Sequence, residues 1–398
     1  MNTITAANSA YRTSILDRAR SMESIISSRT FDIEAAKNLP PDIVNSLAES
    51  GFFKMLIPEE YGGLECDPEI YVAVIENLAR HDASVAWCTF IYCTSSLLAA
   101  YLPSATASKI FSARTVKMSG VFAPNGQARR TVEQGVKGCR VTGKWAWGSG
   151  SKNADYIMGG CLIIGMDGQP ERLPDGNVRL QSIIFQKDQV HLLDNWTAFG
   201  LKGTGSGEFQ VTDQFVPADY TACLFTDRLN TRPLYNFPIF GLLGMGIAGV
   251  ALGLAHAAIR ELKTIACVTK TGPGRKAASE LATTQVAVAK AEAKLRSSKS
   301  FLLESIRNAW TQSKCEQSIS IENRSDIRLA TTHAVDNSVD IIQSMYAMAG
   351  GVAILENSKL QKYLRDVSVL SKHIMISSTT YELIGSISLG LKADTNTL

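Results

Sequence analysis

The sequence is poor in charge, and the charge that it has is balanced. Only 19 % of its 398 residues are charged, with 40 Lys and Arg against 37 Asp and Glu, so the formal net charge is +3. A nearly neutral chain has no electrostatic footprint for nucleic acid or an anionic membrane, and we expect neither as a partner. The hydrophobic content of 45 % is enough for a large buried core.

Paired cysteines and targeting segments are also missing. The eight Cys residues form no C-x-x-C pair and no His stands at zinc-ligand spacing, which predicts reduced thiols and no metal site. Residues 1–12 lack the basic and apolar regions of a signal peptide. The apolar run at 237–259 is rich in Gly and Ala, which predicts a buried core helix. We therefore expect a cytoplasmic protein outside the membrane.

The pattern of hydrophobic and polar residues changes twice along the chain. Helical periodicity gives way near residue 117 to short β-branched and aromatic runs separated by Gly, Asn and Asp, and long helical patterns return near residue 238. This order predicts an α+β fold rather than a doubly wound sheet. The predicted parts are an N-terminal helical domain (1–116), a central β-barrel or sandwich domain (117–228) and a C-terminal helical bundle (229–398). Helices are expected in the last part at 247–264, 277–308, 325–349 and 367–391.

The segment from Gly244 to Gly249 matches the G-x-G-x-x-G string of dinucleotide-binding loops. That function needs a strand before the glycines and an acidic residue about 20 positions later. The sequence supplies neither, since Pro238 and Gly241 precede the string and no acid lies near Val268. We expect these small residues to let two helices approach closely.

Several motifs spread along the chain resemble landmarks of the acyl-CoA dehydrogenase family. They are FKMLIPEEYGG at 53–63, GLKGTGS at 200–206, the Gly350-Gly351 pair and the Arg365-Asp366 pair. The resemblance runs from about residue 12 to residue 391. It implies the fold of that family, with helices, then a β domain, then a four-helix bundle, and it implies a flavin cofactor. The Arg365-Asp366 pair is expected to be a structural ion pair.

The catalytic base of the dehydrogenases is missing from this sequence. In most members of the family a glutamate stands nine residues after the Arg of the Arg-Asp pair and removes the α-proton of a thioester. Here that position is Ile374. The other known place for the base corresponds to residues 237–260, which contain no Asp or Glu. The resemblance therefore implies that thioester dehydrogenation is lost.

Two residues are instead similar to the oxygenase branch of this fold, the two-component flavin monooxygenases. His373 stands eight residues after Arg365, where the oxygenases have a histidine that faces the flavin. Ser149, in GKWAWGSG at 143–150, matches a serine beside flavin N5. The resemblance implies that both are catalytic, with His373 acting either as a base or as a hydrogen-bond donor. By the residues alone, His373 is typical of a core histidine on an apolar helical face, and Ser149 of a turn.

The resemblance also implies a wider set of site residues. Phe122, Ala123, Trp147, Ser149 and Arg275 are expected to bind the flavin, Arg275 through a phosphate in a neighbouring subunit unless its loop is simply solvated. The aromatic and apolar side chains expected to line the substrate pocket are Trp87, Phe90, Tyr92 and Met345. Ala347 stands where FAD-binding dehydrogenases have a glutamine, which leaves FMN open beside FAD.

The function implied by this resemblance is that of a homotetrameric monooxygenase. It would receive reduced flavin, FAD or FMN, from a separate NAD(P)H-dependent flavin reductase, since no NAD(P)H site is recognisable in the chain. With O₂, through a C4a-hydroperoxide, it would hydroxylate a small aromatic or heteroaromatic substrate such as an indole or phenol. Two alternatives stay open: an acyl-CoA or nitroalkane dehydrogenase or oxidase with a relocated base, and a non-catalytic flavin-binding scaffold.

Overall fold

The computed structural model describes residues 14–268, 276–316, 318–396 and 398. Helices form the first part of the chain and end before residue 112. They are α1 (14–21), α2 (Glu23–Ser27), α3 (Thr30–Ala36), α4 (Pro41–Glu49), α5 (Pro68–Ala79), α6 (Ala83–Ser96) and α7 (Ser104–Phe111). Their ends follow local signals, since Pro41 opens α4 and Gly51, at φ +83°, follows its end.

Seven strands form one mixed sheet in the middle of the chain. They are β1 (Met118–Glu133), β2 (Val136–Trp145), β3 (Tyr156–Ile164), β4 (Leu180–Gln186), β5 (His191–Leu192), β6 (Phe209–Pro217) and β7 (Thr221–Ala222). The strand order is β5-β6-β2-β1-β3-β4-β7, and β1 and β3 are parallel while the other pairs are antiparallel. The expected sequence of helices, strands and helices is thus confirmed.

Trp145 fills the centre of this sheet. Its ring is fully buried and its Nε1–H donates to the carbonyl of Gly160 at 2.7 Å. A Cβ atom at Gly126, Gly143 or Gly159 would lie 2.4, 2.5 or 2.6 Å from the nearest ring atom, so three strands must carry glycine where they face the indole. This packing fixes the end of β2 and therefore the start of the segment that follows it.

Five helices form the last part of the chain. They are α8 (Ile239–Val268), α9 (Ala282–Cys315), α10 (Ile321–Ala349), α11 (Lys359–Leu370) and α12 (Thr379–Ser388). The glycines of α8 do lie at helix contacts, as expected. A Cβ at Gly246 would be 2.4 Å from the Tyr71 hydroxyl, and one at Gly253 would be 2.4 Å from the carbonyl of Glu76. In the described residues, α8 and the stretch Ala83–Ala100 are apolar and long enough to span a membrane, but each is 94 % buried inside the protein.

The prediction of one helix at 367–391 is wrong, because the helix is interrupted after the end of α11. Leu370 ends that helix, and His373 begins a short turn at Ile374–Ile376 before α12 starts. Polar side chains form hydrogen bonds with backbone groups there. His373 Nδ1 accepts from the Met375 N–H at 3.2 Å, and the Ser371 hydroxyl donates to the carbonyl of Ser368 at 3.0 Å. Such local bonds compete with the helical ladder.

A buried lysine connects the three parts of the chain. Lys362 of α11 donates to Asp82 at 3.1 Å and to Asp366 at 2.8 Å, and all three side chains are almost completely buried. Asp82 also caps α6 by accepting from the N–H of Ser84, while Asp366 accepts from the N–H of Leu201, after the sheet's fifth strand. Burial alone would lower the pKa of Lys362, but the two carboxylates raise it above its usual value. Breaking such a buried pair typically costs about 3–5 kcal/mol.

The expected ion pair between Arg365 and Asp366 is not formed. Arg365 donates instead to both carboxylate oxygens of Glu34 on α3, at 2.5 and 3.1 Å, and Asp366 pairs with Lys362. Neighbouring residues on a helix point about 100° apart, so adjacent side chains do not meet. The two residues are structural, as predicted, but each binds a different partner.

Candidate active site

Ser149 lies in a tight turn that follows β2. Its neighbour Gly150 adopts φ +75°, donates its N–H to the carbonyl of Thr204 at 2.9 Å and accepts from the Tyr92 hydroxyl at 2.8 Å. A Cβ at Gly150 would be 2.6 Å from the Tyr92 oxygen, so glycine is required there. The turn thus holds the buried Ser149 side chain between α6 and residues 204–206.

Four side chains form a chain of hydrogen bonds that passes through Ser149. The Thr204 hydroxyl donates to the carbonyl of Leu201 at 2.8 Å, Ser206 lies 2.6 Å from Thr204, and Ser149 lies 2.7 Å from Ser206. The Trp87 Nε1–H donates to Ser149 at 3.0 Å. Each hydroxyl has one proton to donate. Since the proton of Thr204 is used on a carbonyl, Ser206 must donate to Thr204, and Ser149 must donate to Ser206.

This proton count fixes what the Ser149 hydroxyl can still do. It has given its proton to Ser206 and accepts one bond from Trp87, so one acceptor position is left and no donor. Ser149 and Ser206 are both buried. The serine is therefore oriented as a hydrogen-bond acceptor for a ligand N–H or O–H.

His373 is held as a neutral imidazole. Burial, together with the positive charge of Arg328, lowers the pKa of His373 to about 4. Its Nδ1 accepts from the Met375 N–H, so the proton of the neutral ring is on Nε2. Because the basic nitrogen is occupied and the pKa is low, His373 is suited to donate a hydrogen bond from Nε2 and poorly suited to act as a base.

Trp87 brings Ser149 and His373 together. Its Nε1–H binds Ser149, and the rings of Trp87 and His373 meet edge to face with centroids 5.9 Å apart. The indole also packs edge to face on Phe90, with centroids 4.8 Å apart. Four of the predicted site residues, from α6, the turn after β2 and the turn after α11, thus form one cluster.

Two expected pocket residues are placed elsewhere. Tyr92 is fully buried, stacks edge to face on Phe53 and uses its hydroxyl on Gly150, so it supports the serine turn from inside the protein. Met345 is also fully buried, near the C-terminal end of α10. It lies about 25 Å along that helix from Arg328, whose charge acts on His373, so the structure does not bring Met345 to the cluster.

The expected flavin-binding residues Trp147, Phe122 and Ala123 are at least partly exposed at the surface. The Trp147 side chain is 69 % exposed, Phe122 is half-buried and Ala123 is exposed. The pairing of β1 with β3 is interrupted between Val121 and Gly126, which brings Phe122 and Ala123 out of the regular ladder. Arg275 lies outside the described residues.

The position of the missing dehydrogenase base is open to solvent. Ile374 is 79 % exposed, next to His373. On α8 the first acid is Glu261, one residue after the acid-free stretch 237–260. The cluster therefore combines a serine acceptor with a neutral imidazole, and neither of the two expected positions supplies a carboxylate.

Sequence reasoning missed several residues that build the site. Ser206 and Thr204 lie in the motif at 200–206, but nothing local marks their hydrogen bonds, because Ser206 bonds to Ser149, far away in the chain. Lys362 had a local signal, because it stands four residues before Asp366 and so shares its helix face. Arg328 stands three residues before the buried Thr331, a spacing that places a charge on the inner face of α10.

Two family descriptions match this chain. "Acyl-CoA dehydrogenase, N-terminal domain" matches residues 14–107, and "Acyl-CoA dehydrogenase, C-terminal domain" matches residues 245–378. The chain belongs to the acyl-CoA dehydrogenase family. The expected resemblance is thereby confirmed, and within the family the similar proteins that have a curated function point to the oxygenase branch.

Two curated relatives are monooxygenases by name. The chain is 29 % identical over 364 residues to an indole-3-acetate monooxygenase of Pseudomonas putida, covering 91 % of this chain and 90 % of the relative. It is 25 % identical over 349 residues to the oxygenase subunit HsaA of a flavin-dependent monooxygenase of Rhodococcus jostii, covering 85 % and 88 %. The expected resemblance to the oxygenase branch of the acyl-CoA dehydrogenase family is confirmed.

Solved structures share the fold over nearly the whole chain. XiaF from Streptomyces sp., in complex with FADH2 and glycerol, superposes with a TM-score of 0.86 at 22 % identity, covering 98 % of each chain. TdsC from Paenibacillus sp., in complex with FMN and indole, superposes with a TM-score of 0.80 at 16 % identity, covering 96 % and 98 %. An acyl-CoA dehydrogenase-like fold is therefore established for this protein.

The low pKa of His373 predicts a loss of stability in mild acid. Between pH 6.5 and 4 the unfolded chain binds a proton at this residue and the folded chain does not. The contribution of His373 to the free energy of unfolding is therefore complete above pH 6.5 and falls as the pH falls. From pH 7 to pH 5 the wild type should lose about 2 kcal/mol more unfolding free energy than His373→Asn.

The measurement is denaturant unfolding of both proteins at the two pH values. His191→Asn, a change at an exposed histidine of β5, should keep the acid loss of the wild type. An equal acid loss in the wild type and His373→Asn would show that His373 is not held neutral by the fold.

Proposed function

We propose that this chain is the oxygenase component of a flavin-dependent monooxygenase that hydroxylates a small aromatic or heteroaromatic substrate such as an indole or phenol. The observation that carries the proposal is the cluster of Ser149, Trp87 and His373, formed where the dehydrogenase base is replaced by Ile374. The names of the relatives from P. putida and R. jostii support the same activity.

The residues around Ser149 fit a flavin. Reduced flavin carries an N–H at N5, and Ser149 has one free acceptor position and no free proton. The exposed indole of Trp147, two residues before Ser149, and the half-buried ring of Phe122 on β1 offer flat apolar surface for the flavin ring. When bound, reduced flavin supplies the two electrons with which O₂ is split, one oxygen atom entering the substrate and one leaving as water. The ligands of XiaF and TdsC support FAD or FMN.

The protein's own part in this chemistry is to donate a hydrogen bond and to exclude water. The Nε2–H of the neutral His373 is free to donate to an oxygen atom in the site. Trp87 lies edge to face beside it, Phe90 is buried against the indole, and this apolar packing limits the access of water. A planar aromatic substrate suits such packing because aromatic rings pack edge to face or offset on one another.

The assembly belongs to the same proposal. We infer a separate NAD(P)H-dependent flavin reductase, since the R. jostii relative is named as one subunit of a monooxygenase. We also infer a cytoplasmic homotetramer whose C-terminal helices form a four-helix bundle, and a barrel-like or sandwich-like β domain. Exposed apolar side chains support an oligomer; near the start of α9, at the end of α10 and just after it they are Val286, Met348, Val352, Ile354 and Leu355.

His373→Ala tests the proposed function directly. Wild-type protein supplied with reduced flavin, O₂ and an indole should form hydroxylated product, and the variant should consume O₂ but release it mainly as hydrogen peroxide. Loss of one well-placed donor typically lowers the rate about 10²–10³-fold. Product formed per O₂ consumed is measured beside His191→Ala, which should behave as the wild type. Unchanged coupling in His373→Ala would refute the role of His373 as the oxygen-facing donor.

Ser206→Ala tests the orientation of the Ser149 hydroxyl. The change frees the proton of Ser149, so the serine can donate to the bare N5 of oxidised flavin as well as accept from N5–H. The wild type should bind reduced flavin more tightly than oxidised flavin, and Ser206→Ala should shrink that ratio of dissociation constants about 5–10-fold. Thr204→Val should act likewise, because Ser206 then loses its acceptor.

The control for this series is Ser119→Ala. Ser119 is buried and donates to the backbone carbonyl of Ser149 at 2.7 Å, so its loss leaves the hydroxyl chain intact. Anaerobic titrations with reduced flavin and aerobic titrations with oxidised flavin give the ratio. If Ser206→Ala leaves the ratio at the wild-type value, or if Ser119→Ala alters it equally, the hydroxyl chain does not set the preference.

A further inference from the structure

Arg328 is a buried charge with almost no protein partner. Its side chain, on α10, belongs to a residue that is 4 % exposed, and its one hydrogen bond runs from Nη2 to the hydroxyl of Thr380 at 3.3 Å. Nε and Nη1 are fully buried and meet no hydrogen-bond acceptor in the described part of the chain. The described residues place no carboxylate within ion-pair distance of the guanidinium, in contrast to the buried Lys362.

An uncompensated buried guanidinium is costly. An isolated charge inside a protein loses its hydration without a partner to replace it. Burial lowers the pKa of Arg328 to about 10, which leaves it protonated at neutral pH. The fold therefore holds a full positive charge with two unused donor groups, and such a site is stabilised when an anion enters.

The position of Arg328 relates it to the active-site cluster. Its charge acts on His373 and helps to lower the pKa of the imidazole. Thr380, its hydroxyl partner, is the second residue of α12, just beyond the turn that His373 begins, and α10 packs directly against that turn. The guanidinium thus lies close enough to His373 for its charge to act on the imidazole, in the region where α10 meets the turn and α12.

We infer that Arg328 binds the carboxylate of the substrate, and that this protein prefers aromatic acids over neutral aromatic compounds of the same ring system. The inference rests on the proposed function, whose substrate class it narrows. A guanidinium matches a carboxylate, which accepts charge-assisted N–H bonds, and Arg328 offers Nε and Nη1, both without a partner, as donors. With its carboxylate on Arg328, an aromatic acid has its ring near His373 and Trp87.

The test compares a carboxylate with neutral compounds of the same ring. Indole-3-acetate, indole-3-acetamide and indole are the probes, and binding to the flavin-loaded protein is measured by calorimetry. Wild type should bind indole-3-acetate at least ~10-fold more tightly than the amide. Arg328→Gln should weaken the binding of indole-3-acetate ~10–100-fold and change that of indole less than ~3-fold. Arg328→Lys, which keeps the charge, should recover part of the loss.

Arg296→Gln, at an exposed arginine of α9, is the matched control and should leave all three affinities unchanged. Equal binding of acid and amide by the wild type overturns the inference without any variant. Equal losses for indole-3-acetate and indole in Arg328→Gln, or a weaker affinity for flavin, overturn it too, because Arg328 would then serve the flavin or the fold.

Binding and turnover separate this inference from the proposed function. If the wild type binds indole-3-acetate through Arg328 but forms no hydroxylated product, the inference stands and the proposed oxygenase chemistry fails. If hydroxylation of indole proceeds while Arg328→Gln leaves the affinity for indole-3-acetate unchanged, the oxygenase chemistry stands and the carboxylate site fails.

Discussion

The ammonium group of Lys362 lies between the carboxylates of Asp82 and Asp366, and each of these carboxylates also fixes a piece of backbone. Asp82 caps the helix that carries Trp87, and Asp366 holds Leu201 at the start of the hydroxyl chain that ends at Ser149. The same helix that carries Lys362 leads directly to His373. Three distant parts of the sequence thus meet at one buried triad, and the relative position of Trp87, Ser149 and His373 depends on it.

Local hydrogen bonds decide whether Ser149 and His373 can still donate or accept a hydrogen bond. Ser149 has no proton to give because the Thr204 hydroxyl is committed to a carbonyl, and His373 offers Nε2–H because its Nδ1 is occupied. One group therefore accepts and the other donates. A thioester dehydrogenase needs a carboxylate that removes a proton, whereas this pair suits a reduced flavin on one side and an oxygen atom on the other.

Features that depend on short stretches of sequence were predictable. The order of helices and strands follows from local pattern, and so does the close packing at Gly246. The motif around Arg365 shows that Ile374 replaces the dehydrogenase base and that a histidine, His373, stands next to it. The hydroxyl chain was not predictable, because Ser206 meets Ser149 only through the turn that Gly150 allows. The helix expected across His373 does not form, because the His373 side chain accepts a hydrogen bond from the backbone N–H of Met375. The lack of a partner for Arg328 could not be predicted either, because it depends on which acceptors all the surrounding helices and turns place near the guanidinium.

In the proposed reaction O₂, activated by externally reduced flavin, supplies the oxygen atom that is placed on an aromatic substrate. Isotope labelling measures the origin of that atom: the protein is given chemically reduced FAD or FMN and an indole under ¹⁸O₂ in ordinary water, and the product is examined by mass spectrometry. One ¹⁸O atom is expected in each molecule of hydroxylated product. Oxygen derived from water, or bleaching of bound oxidised flavin by an acyl-CoA without O₂, would exclude this reaction.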